Sequence, residues 1–296
     1  MKKMLVAALA MMAMSFNALA IEGKTLNFCG GAEGGFYESF AKQIANDVAK
    51  AAKVQVEVLS TEGSVSSAQM LKDGDCDVAI LQADAVISRP LPSDIAVSDA
   101  HKEAIYWLFG KGGVSDFGDM SDKEHKNKGI AVVEGSGAEV TLRNFGNVDK
   151  DFKDLNIIVF DDWFSAAKAA ADGKVRRAKN DIPIAGMVYI GRPGNISSEI
   201  TGEFKEDLTI GEIDVSSFKG VKDAIGGQLY STCELTDKQT NGLKTSTRLK
   251  PDTYCVNAQI VYNNELFDGL DKKDVRLLRK SLDKAIVQNV RQQRVQ

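Results

Sequence analysis

Residues 58–86 read VLSTEGSVSSAQMLKDGDCDVAILQADAV, and this stretch decides the fold. A strand pattern ends at the polar turn STEGS, and a helix pattern then runs to a stop at Gly74. The buried run DVAILQ follows and leads into Gln82 and Asp84. A strand, a helix and a second strand in this order predict two parallel strands joined by a right-handed crossover.

The same alternation occurs on both sides of this stretch. Upstream, TLNF is a strand pattern, a glycine-rich turn follows, and FYESFAKQIANDVAKAA has helical spacing of its apolar residues. Downstream, GIAVV, NIIVFD and IPIAGMVYI are strand patterns separated by turn and helix patterns. Two successive α/β units predict an α/β protein with two lobes and a crevice between them.

The lobe boundaries follow from this spacing. Lobe one is expected to hold residues 21–111 and to be completed by residues 233–296, and lobe two is expected to hold residues 112–232. The C-terminal segment DKKDVRLLRKSLDKAIVQNVRQ predicts an amphipathic helix packed against the body. Its apolar face would present Leu277, Leu278, Leu282 and Ile286.

The first twenty residues predict a secretory signal peptide. Lys2 and Lys3 precede an apolar run that is too short to span a bilayer, and ALA at residues 18–20 forms a small-residue cleavage site. We therefore expect a protein exported to the periplasm, with residues 1–20 removed.

Composition excludes some classes of partner. The chain has 296 residues, 37 basic and 41 acidic, with a formal net charge of −4 and no cluster of Lys and Arg. An acidic protein of this kind is a poor candidate for binding nucleic acid or an anionic membrane surface. We expect a monomer that binds a small molecule.

The four cysteines predict one disulfide. Cys233 and Cys255 bracket a polar, turn-rich segment, and a bridge there would stabilise the fold by about 3 kcal/mol. Cys29 ends one predicted strand and Cys76 begins another, so parallel strands would separate them beyond the ~7 Å limit for bridging. We expect those two to be unpaired. With only two histidines, His101 and His125, we expect no zinc site and no cofactor.

Four polar segments follow predicted strands. Ligands of open α/β sheets lie beyond the carboxyl ends of the strands, where helix N-termini present unpaired N–H groups. The segments are residues 34–37, 61–64, 82–84 and 135–137. Their convergence predicts a ligand cleft.

Catalytic motifs give a weaker alternative. The GSG at residues 135–137 lacks the G-x-S-x-G nucleophile pattern, and the sequence has no phosphate-binding GxxxxGK[ST] loop. An exported α/β enzyme would have to use Asp161, Asp162 or Glu139 as acid or base. The two aspartates precede a helix pattern, where capping is the ordinary role. We therefore expect no enzyme.

Several blocks of the sequence resemble the TAXI-type solute-binding receptors of TRAP (tripartite ATP-independent periplasmic) transporters. They are GGFYESFAKQIA, STEGSVSSAQMLKDGDCDVAILQADAV, GIAVVEGSGAEVT and AADGK…IAGMVYIGRPGN, and they match in register from about residue 25 to residue 195. The chain departs from the family pattern at Cys29, Glu38, Glu62 and Ala138. The stretch YWLFGKGGVSDFGDM is also shorter than the family's crossover region.

The resemblance implies a two-lobed receptor with the type II periplasmic binding protein fold, which delivers its solute to TRAP membrane subunits. Family ligands include glutamate, other amino acids and dicarboxylates. A sensing subunit for a membrane kinase would have the same features. The ligand contacts that carry over are Gly35, Tyr37, Ser64, Gln82, Asp84, Ser136 and Gly137. Asp84 would either accept an ammonium group or cap the next helix.

The charged and aromatic residues near the cleft edges indicate which class of ligand is favoured. Arg192 and Lys111 are the candidate cations, and Trp163 is a candidate apolar wall together with Phe36 and Tyr37. The acids on the same edges are Glu33, Glu38, Glu62, Asp84 and Glu139. Because one or two inward acids would favour a ligand with an ammonium group, an amino acid such as glutamate ranks above a simple dicarboxylate.

Overall fold

A computed structural model describes residues 21, 23–88, 91, 94–178, 180–223, 225–247 and 251–295. The predicted signal peptide at residues 1–20 lies outside the described residues. Within the described ranges, no helix is both long and apolar enough to cross a membrane.

The first part of the chain alternates strands and helices as predicted. Its elements are β1 (Thr25–Cys29), α1 (Phe36–Ala52), β2 (Gln55–Leu59), α2 (Ser64–Asp73), β3 (Val78–Gln82), α3 (Ala83–Ser88) and β4 (Ile95–Phe109). Glycine ends α2 in the left-handed conformation, at Gly74 with φ 82°.

The second part repeats the alternation and then adds strands and a long helix. Its elements are β5 (Gly129–Val133), α4 (Gly137–Val148), β6 (Asn156–Phe160), α5 (Trp163–Asp172), β7 (Lys174–Arg177), β8 (Asn180–Gly191), α6 (Ser198–Thr201), β9 (Thr209–Ile210), β10 (Tyr230–Glu234), β11 (Lys244–Thr245), β12 (Asp252–Asn263) and α7 (Lys272–Val295).

The main path of the sheet runs β2-β1-β3-β12-β4-β8-β5-β6. At one end β1 lies parallel between β2 and β3, and at the other end β5 lies parallel between β6 and β8. We call these two groups of three parallel strands the strand trios. An antiparallel strand lies beside each trio, namely β12 beside β3 and β4 beside β8. The two trios give the predicted α/β fold with two lobes, of the type II periplasmic binding protein class.

The strands β4 and β12 pass from one trio to the other. They pair antiparallel from Ile95 with Asn263 to Ala104 with Cys255, with one irregularity at Ala258/Gln259. Beyond that ladder β4 pairs with β8, and β12 pairs with β10. The strand β4 pairs with β12 from its first residue, Ile95.

The C-terminal helix packs as its periodicity predicted. Leu278 and Leu282 are fully buried against Phe40 and Ile44 of α1, and Ile286 is also buried. Full burial of each such side chain contributes about 1.5–3 kcal/mol. The helix thereby completes the core around β1, β3 and β12.

The structure contains two disulfides, of which one was predicted. Cys233–Cys255 joins β10 to its antiparallel neighbour β12, with the Cα atoms 5.8 Å apart. Cys29–Cys76 is also bridged, with the Cα atoms 6.0 Å apart, so the prediction that both are unpaired is wrong.

The error has a structural cause in the turn before β3. Cys76 does not lie in that strand, which begins at Val78. The turn folds against β1, where the Asp77 N–H donates to the Asn27 carbonyl over 2.9 Å. The turn therefore brings Cys76 within reach of Cys29 at the end of β1.

The sequence separations of the two disulfides predict how much each one stabilises the folded protein. Cys29–Cys76 spans 47 residues and Cys233–Cys255 spans 22. The chain-entropy model gives about 4 kcal/mol for the longer loop and about 3 kcal/mol for the shorter one. We expect urea unfolding to show a larger loss for the Cys29→Ala/Cys76→Ala pair than for the Cys233→Ala/Cys255→Ala pair. The reverse order, or a wild-type protein with free thiols at Cys29 and Cys76, would contradict this assignment.

Candidate functional site

A cleft of about 810 Å³ lies where β1, β3 and β5 end and the following helices begin. Sites for small molecules generally measure about 300–1,000 Å³. The described lining residues are Gly31–Tyr37, Glu62–Ser64, Gln82, Glu103, Ser136–Ala138, Trp163, Tyr189–Arg192, Asn195–Glu199, Thr201 and Asn241. They come from both strand trios, so the cleft lies between the lobes.

A second hollow of about 870 Å³ follows the exposed face of α7. All of its lining side chains belong to that one helix, from Arg276 to Gln292. It is a groove between surface side chains and brings no groups together from different parts of the fold. The cleft is the better candidate for a site.

Eight of the nine sequence-predicted site residues line the cleft. They are Gly35, Tyr37, Ser64, Gln82, Ser136, Gly137, Trp163 and Arg192. Asp84 does not line it, and neither does the second candidate cation, Lys111. Eight lining positions that the sequence reasoning did not nominate carry side chains that can form hydrogen bonds, namely Glu103, Tyr189, Asn195, Ser197, Ser198, Glu199, Thr201 and Asn241.

Three helices begin at the cleft. Gly35 precedes α1 and Gly63 precedes α2, and neither N-terminus has a side-chain capping hydrogen bond. At α4, Ser136 is the N-cap and accepts from the Glu139 N–H over 3.4 Å. Helix N-termini carry unpaired N–H groups and a partial positive charge. This edge of the cleft therefore favours an anionic group.

The turns before α2 and α4 meet across the cleft. Gly63 has φ 152°, and a Cβ atom there would lie 2.6 Å from the Gly135 carbonyl oxygen. Only glycine fits this position, because a side chain would push the two turns apart. The close approach explains the glycine at position 63, whereas Gly135 is favoured by its left-handed backbone, with φ 65°.

Gln82 is the most unusual polar residue of the cleft. It is 2% exposed, and its backbone N–H donates to Ser64 Oγ over 3.1 Å. Its carboxamide lies against Gly137, yet within the described structure neither Nε2 nor Oε1 has a hydrogen-bond partner. A buried unsatisfied polar group costs about 1–3 kcal/mol. Such a group at a cleft indicates a partner supplied by a ligand.

Tyr37 and Glu103 form a second polar group in the cleft. The Tyr37 hydroxyl donates to Glu103 Oε2 over 2.7 Å, and His101 Nε2 lies 3.3 Å from Glu103 Oε1. Burial, with a smaller contribution from Glu103, raises the pKa of Tyr37 well above its usual value. The hydroxyl thus stays protonated and keeps donating to the carboxylate.

Arg192 links the two lobes at one end of the cleft. Its guanidinium carbon lies 4.5 Å from the centre of the Phe36 ring, and Nη1 donates to Gln293 Oε1 over 3.1 Å. These contacts join the loop after β8 to α1 and α7. The remaining guanidinium donors can still serve a ligand, since Arg carries five N–H groups.

The other acids divide between the cleft and local roles. Glu33 and Glu62 line the cleft. Glu38 instead forms an ion pair with Lys42, and Glu139 forms one with Arg143. Asp162 caps α5 by accepting from the Ser165 N–H over 2.6 Å, so the capping role predicted for it is confirmed.

Asp84 belongs to the contact between lobes. It is fully buried in the first turn of α3, where its carboxylate accepts from Thr141 Oγ1 and from the Tyr230 hydroxyl. Asn144 Nδ2 donates to the Asp84 carbonyl over 3.1 Å. Burial raises the pKa of Asp84 to about 6, although the two hydroxyl hydrogen bonds act in the opposite direction.

The profile of the NMT1-like family matches residues 28–185, which is more than half of the chain. The chain belongs to the NMT1-like family. The matched range contains the three helix N-termini, Gln82 and Glu103. No curated protein matches this NMT1-like chain in sequence.

Solved structures resemble the NMT1-like chain at low identity. The GluR0 ligand-binding core in complex with L-glutamate is 14% identical, with a TM-score of 0.48, and the match covers 92% of this chain and 98% of that one. An ABC-type phosphate transport receptor from Vibrio cholerae is 10% identical, with a TM-score of 0.47 and coverage of 90% and 98%. The effector-binding domain of a BenM variant is 11% identical, with a TM-score of 0.43 and coverage of 89% and 95%. At these identities and scores the likenesses carry no ligand to this chain.

The raised pKa of Asp84 predicts that the free energy of unfolding depends on pH. Because that pKa is about 6 in the folded protein and about 3.9 in an unfolded chain, folding favours the protonated acid. This stabilisation is fully present below about pH 4 and is lost as the pH rises through about 6. Between pH 4 and pH 7 we expect wild type to lose about 2 kcal/mol relative to Asp84→Asn.

Urea unfolding of both proteins across this pH range measures the difference. The exposed Asp161→Asn change is the matched control and should give a flat difference from wild type. A flat difference for Asp84→Asn as well would show that Asp84 is ionised throughout.

Proposed function

We propose that this protein is a periplasmic solute-binding receptor that captures a small carboxylate-bearing solute for a TRAP-type membrane transporter. The solute is an amino acid such as glutamate or, second, a dicarboxylate. The observation that carries the proposal is the unpartnered Gln82 carboxamide, buried in a cleft where three helix N-termini converge.

The donors of the cleft suit a carboxylate. Gln82 Nε2 offers two N–H groups, Ser64 offers a hydroxyl, and the starts of α1 and α2 offer backbone N–H groups. A hydrogen bond to a charged group contributes about 1.5–3 kcal/mol. Two or three such bonds sum to about 3–9 kcal/mol. Because association also has a cost, micromolar binding, about 8 kcal/mol, requires further contacts with the cleft walls.

Transport and periplasmic location rest on separate observations. Membership of the NMT1-like family and the resemblance to TAXI receptors support a receptor role. Two disulfides suit an oxidising compartment such as the periplasm, in agreement with the predicted signal peptide. The capping role of Asp162 and the ion pair of Glu139 favour binding over catalysis, because both acids already have structural partners.

Two other functions make different predictions. A sensing subunit would bind the same ligand and then contact a membrane kinase, and genes for TRAP membrane subunits beside this gene would favour transport. An exported enzyme would convert the solute, so recovering it unchanged from the complex would favour a receptor.

The proposed lobes would close on the ligand about the two strands that join them. In this proposal residues 21–111 and 233–296 form one lobe and residues 112–232 form the other. The irregular pairing at Ala258/Gln259 lies within the β4–β12 ladder, where bending would disturb few hydrogen bonds.

Small-angle scattering tests the closure. The mature protein should show a smaller radius of gyration with a bound carboxylate ligand than without it, because binding to both lobes draws them together. The Gln82→Met variant, at the same ligand concentration, is the control for non-specific compaction. An equal radius in both states of wild type would contradict closure.

Gln82→Met separates binding from stability. Methionine has a similar volume and removes the unsatisfied amide, so the free protein should gain about 1–3 kcal/mol in unfolding free energy. The same change removes a ligand contact, so affinity for L-glutamate or a dicarboxylate should fall about tenfold or more.

Thermal shift against amino acids and organic acids provides both measurements. Ligand at about 100 times its dissociation constant should add roughly 2.7 kcal/mol of stability to wild type. Gln259→Met is the matched control, since Gln259 is buried on β12 and donates to Asp99. It removes a paired donor together with the unpartnered Oε1, so it should gain less stability than Gln82→Met and leave affinity unchanged. Shifts with sugars alone, or with none of these acids, would contradict the proposal.

A further inference from the structure

The cleft has more negative than positive side chains. Its described lining contains Glu33, Glu62, Glu103 and Glu199, and Arg192 is the single cationic side chain among them. The other three glutamates are exposed, so water and salt screen their charges. Glu103 is 6% exposed, and its charge acts on the cleft with little screening. A dicarboxylate without an ammonium group would meet this charge unfavourably.

The surroundings of Glu103 leave its charge without a fixed cation. Tyr37 donates to one carboxylate oxygen, and His101 Nε2 lies 3.3 Å from the other. Tyr189 and Asp84 are the other titratable groups whose charge interacts with Glu103. Within the described residues no Lys or Arg pairs with this carboxylate. Each oxygen has a second lone pair, so Glu103 can accept further hydrogen bonds from a ligand.

Glu103 and Gln82 lie on opposite sides of β12. Gln82 pairs with Ala258 on one side of that strand, and Glu103 pairs with Val256 on the other. Two inter-strand spacings, about 10 Å, and an offset of two residues along β12, about 7 Å, separate their backbones. The Gln82 carboxamide and the start of α4 suit an anionic group, whereas Glu103 suits a cationic one. One end of the cleft therefore favours an anionic group of the ligand, and the other end favours a cationic group of the same ligand.

We propose that Glu103 is a specificity-determining residue that binds an ammonium group, and that the ligand is an α-amino acid and not a dicarboxylate. Tyr37 acts as a positioning residue that holds the Glu103 carboxylate toward the ligand. This inference rests on the proposed receptor function and adds the charge that the ligand must carry.

Calorimetry with paired acids tests the inference. The pairs are L-glutamate with glutarate, L-aspartate with succinate, and L-valine with isovalerate, since the members of each pair differ by the amino group alone. The measurements use the mature protein at pH 8, where histidine side chains are generally neutral. Wild type should bind the amino acid of at least one pair about tenfold to a hundredfold more tightly than its partner.

Glu103→Gln should abolish this preference. It keeps an acceptor for the Tyr37 hydroxyl and removes the charge, so affinity for the amino acid should fall about tenfold to a hundredfold. Affinity for the deaminated acid should stay the same or rise. Glu203→Gln is the matched control, an exposed glutamate outside the cleft lining, and should change neither affinity more than about threefold.

Tyr37→Phe gives an independent variant if Glu103→Gln does not fold, as judged by circular dichroism. It should weaken the amino acid more than the deaminated acid, whereas a purely structural tyrosine would weaken both equally.

The outcomes separate this inference from the proposed function. Wild type that prefers the deaminated acids, or Glu103→Gln with an unchanged preference, would overturn the inference and leave a carboxylate receptor. Failure of every acid to bind would overturn both.

Discussion

The antiparallel pairing of β4 with β12 is the constraint on which the rest of the structure depends. It is the ladder at which the two strand trios meet, and both of its strands continue into pairings beyond it. The register of these strands places Glu103 and Gln82 on either side of β12, and the β8 register pairs the cleft residue Tyr189 with Tyr106 of β4. A shift of one residue in this ladder would turn Glu103 away from the cleft, because successive side chains of a strand point to opposite faces.

Burial of polar groups between the lobes has a cost that other parts of the fold offset. Asp84 and Gln82 are each almost completely buried, and a buried polar group lowers stability unless it is well paired. The apolar cores on either side, such as the packing of α7 on α1, supply the compensating stability. The Cys29–Cys76 disulfide adds a covalent link close to the cleft, between the end of β1 and the turn before β3. The fold thus tolerates buried polar groups that lower its stability, and a bound ligand would reduce this cost by pairing with Gln82.

The sequence predicted features that depend on neighbouring residues. Strands and helices around the cleft begin within a residue or two of their predicted positions, because hydrophobic period and glycine stops are local signals. Prediction from the sequence failed for features that depend on contacts between distant segments. The first half of β4, IAVSDAHK, lacks the regular alternation of apolar and polar residues that indicates a strand, and the Cys29–Cys76 pairing depends on how a turn folds against a strand. Asp84 showed the same limit, since its partners Thr141 and Tyr230 lie far along the chain.

The same distinction separates the function class from the ligand. The edge of the cleft that favours an anion is formed by helix N-termini, and the glycine turns of the sequence predict these helix starts. Its cation-favouring side comes from one buried carboxylate, and only the pairing of β4 with its neighbours brings Glu103 beside Tyr37. A binding cleft can therefore be recognised from turn chemistry alone. The charge that its ligand must carry depends on strand register, which a single sequence does not encode in any local pattern.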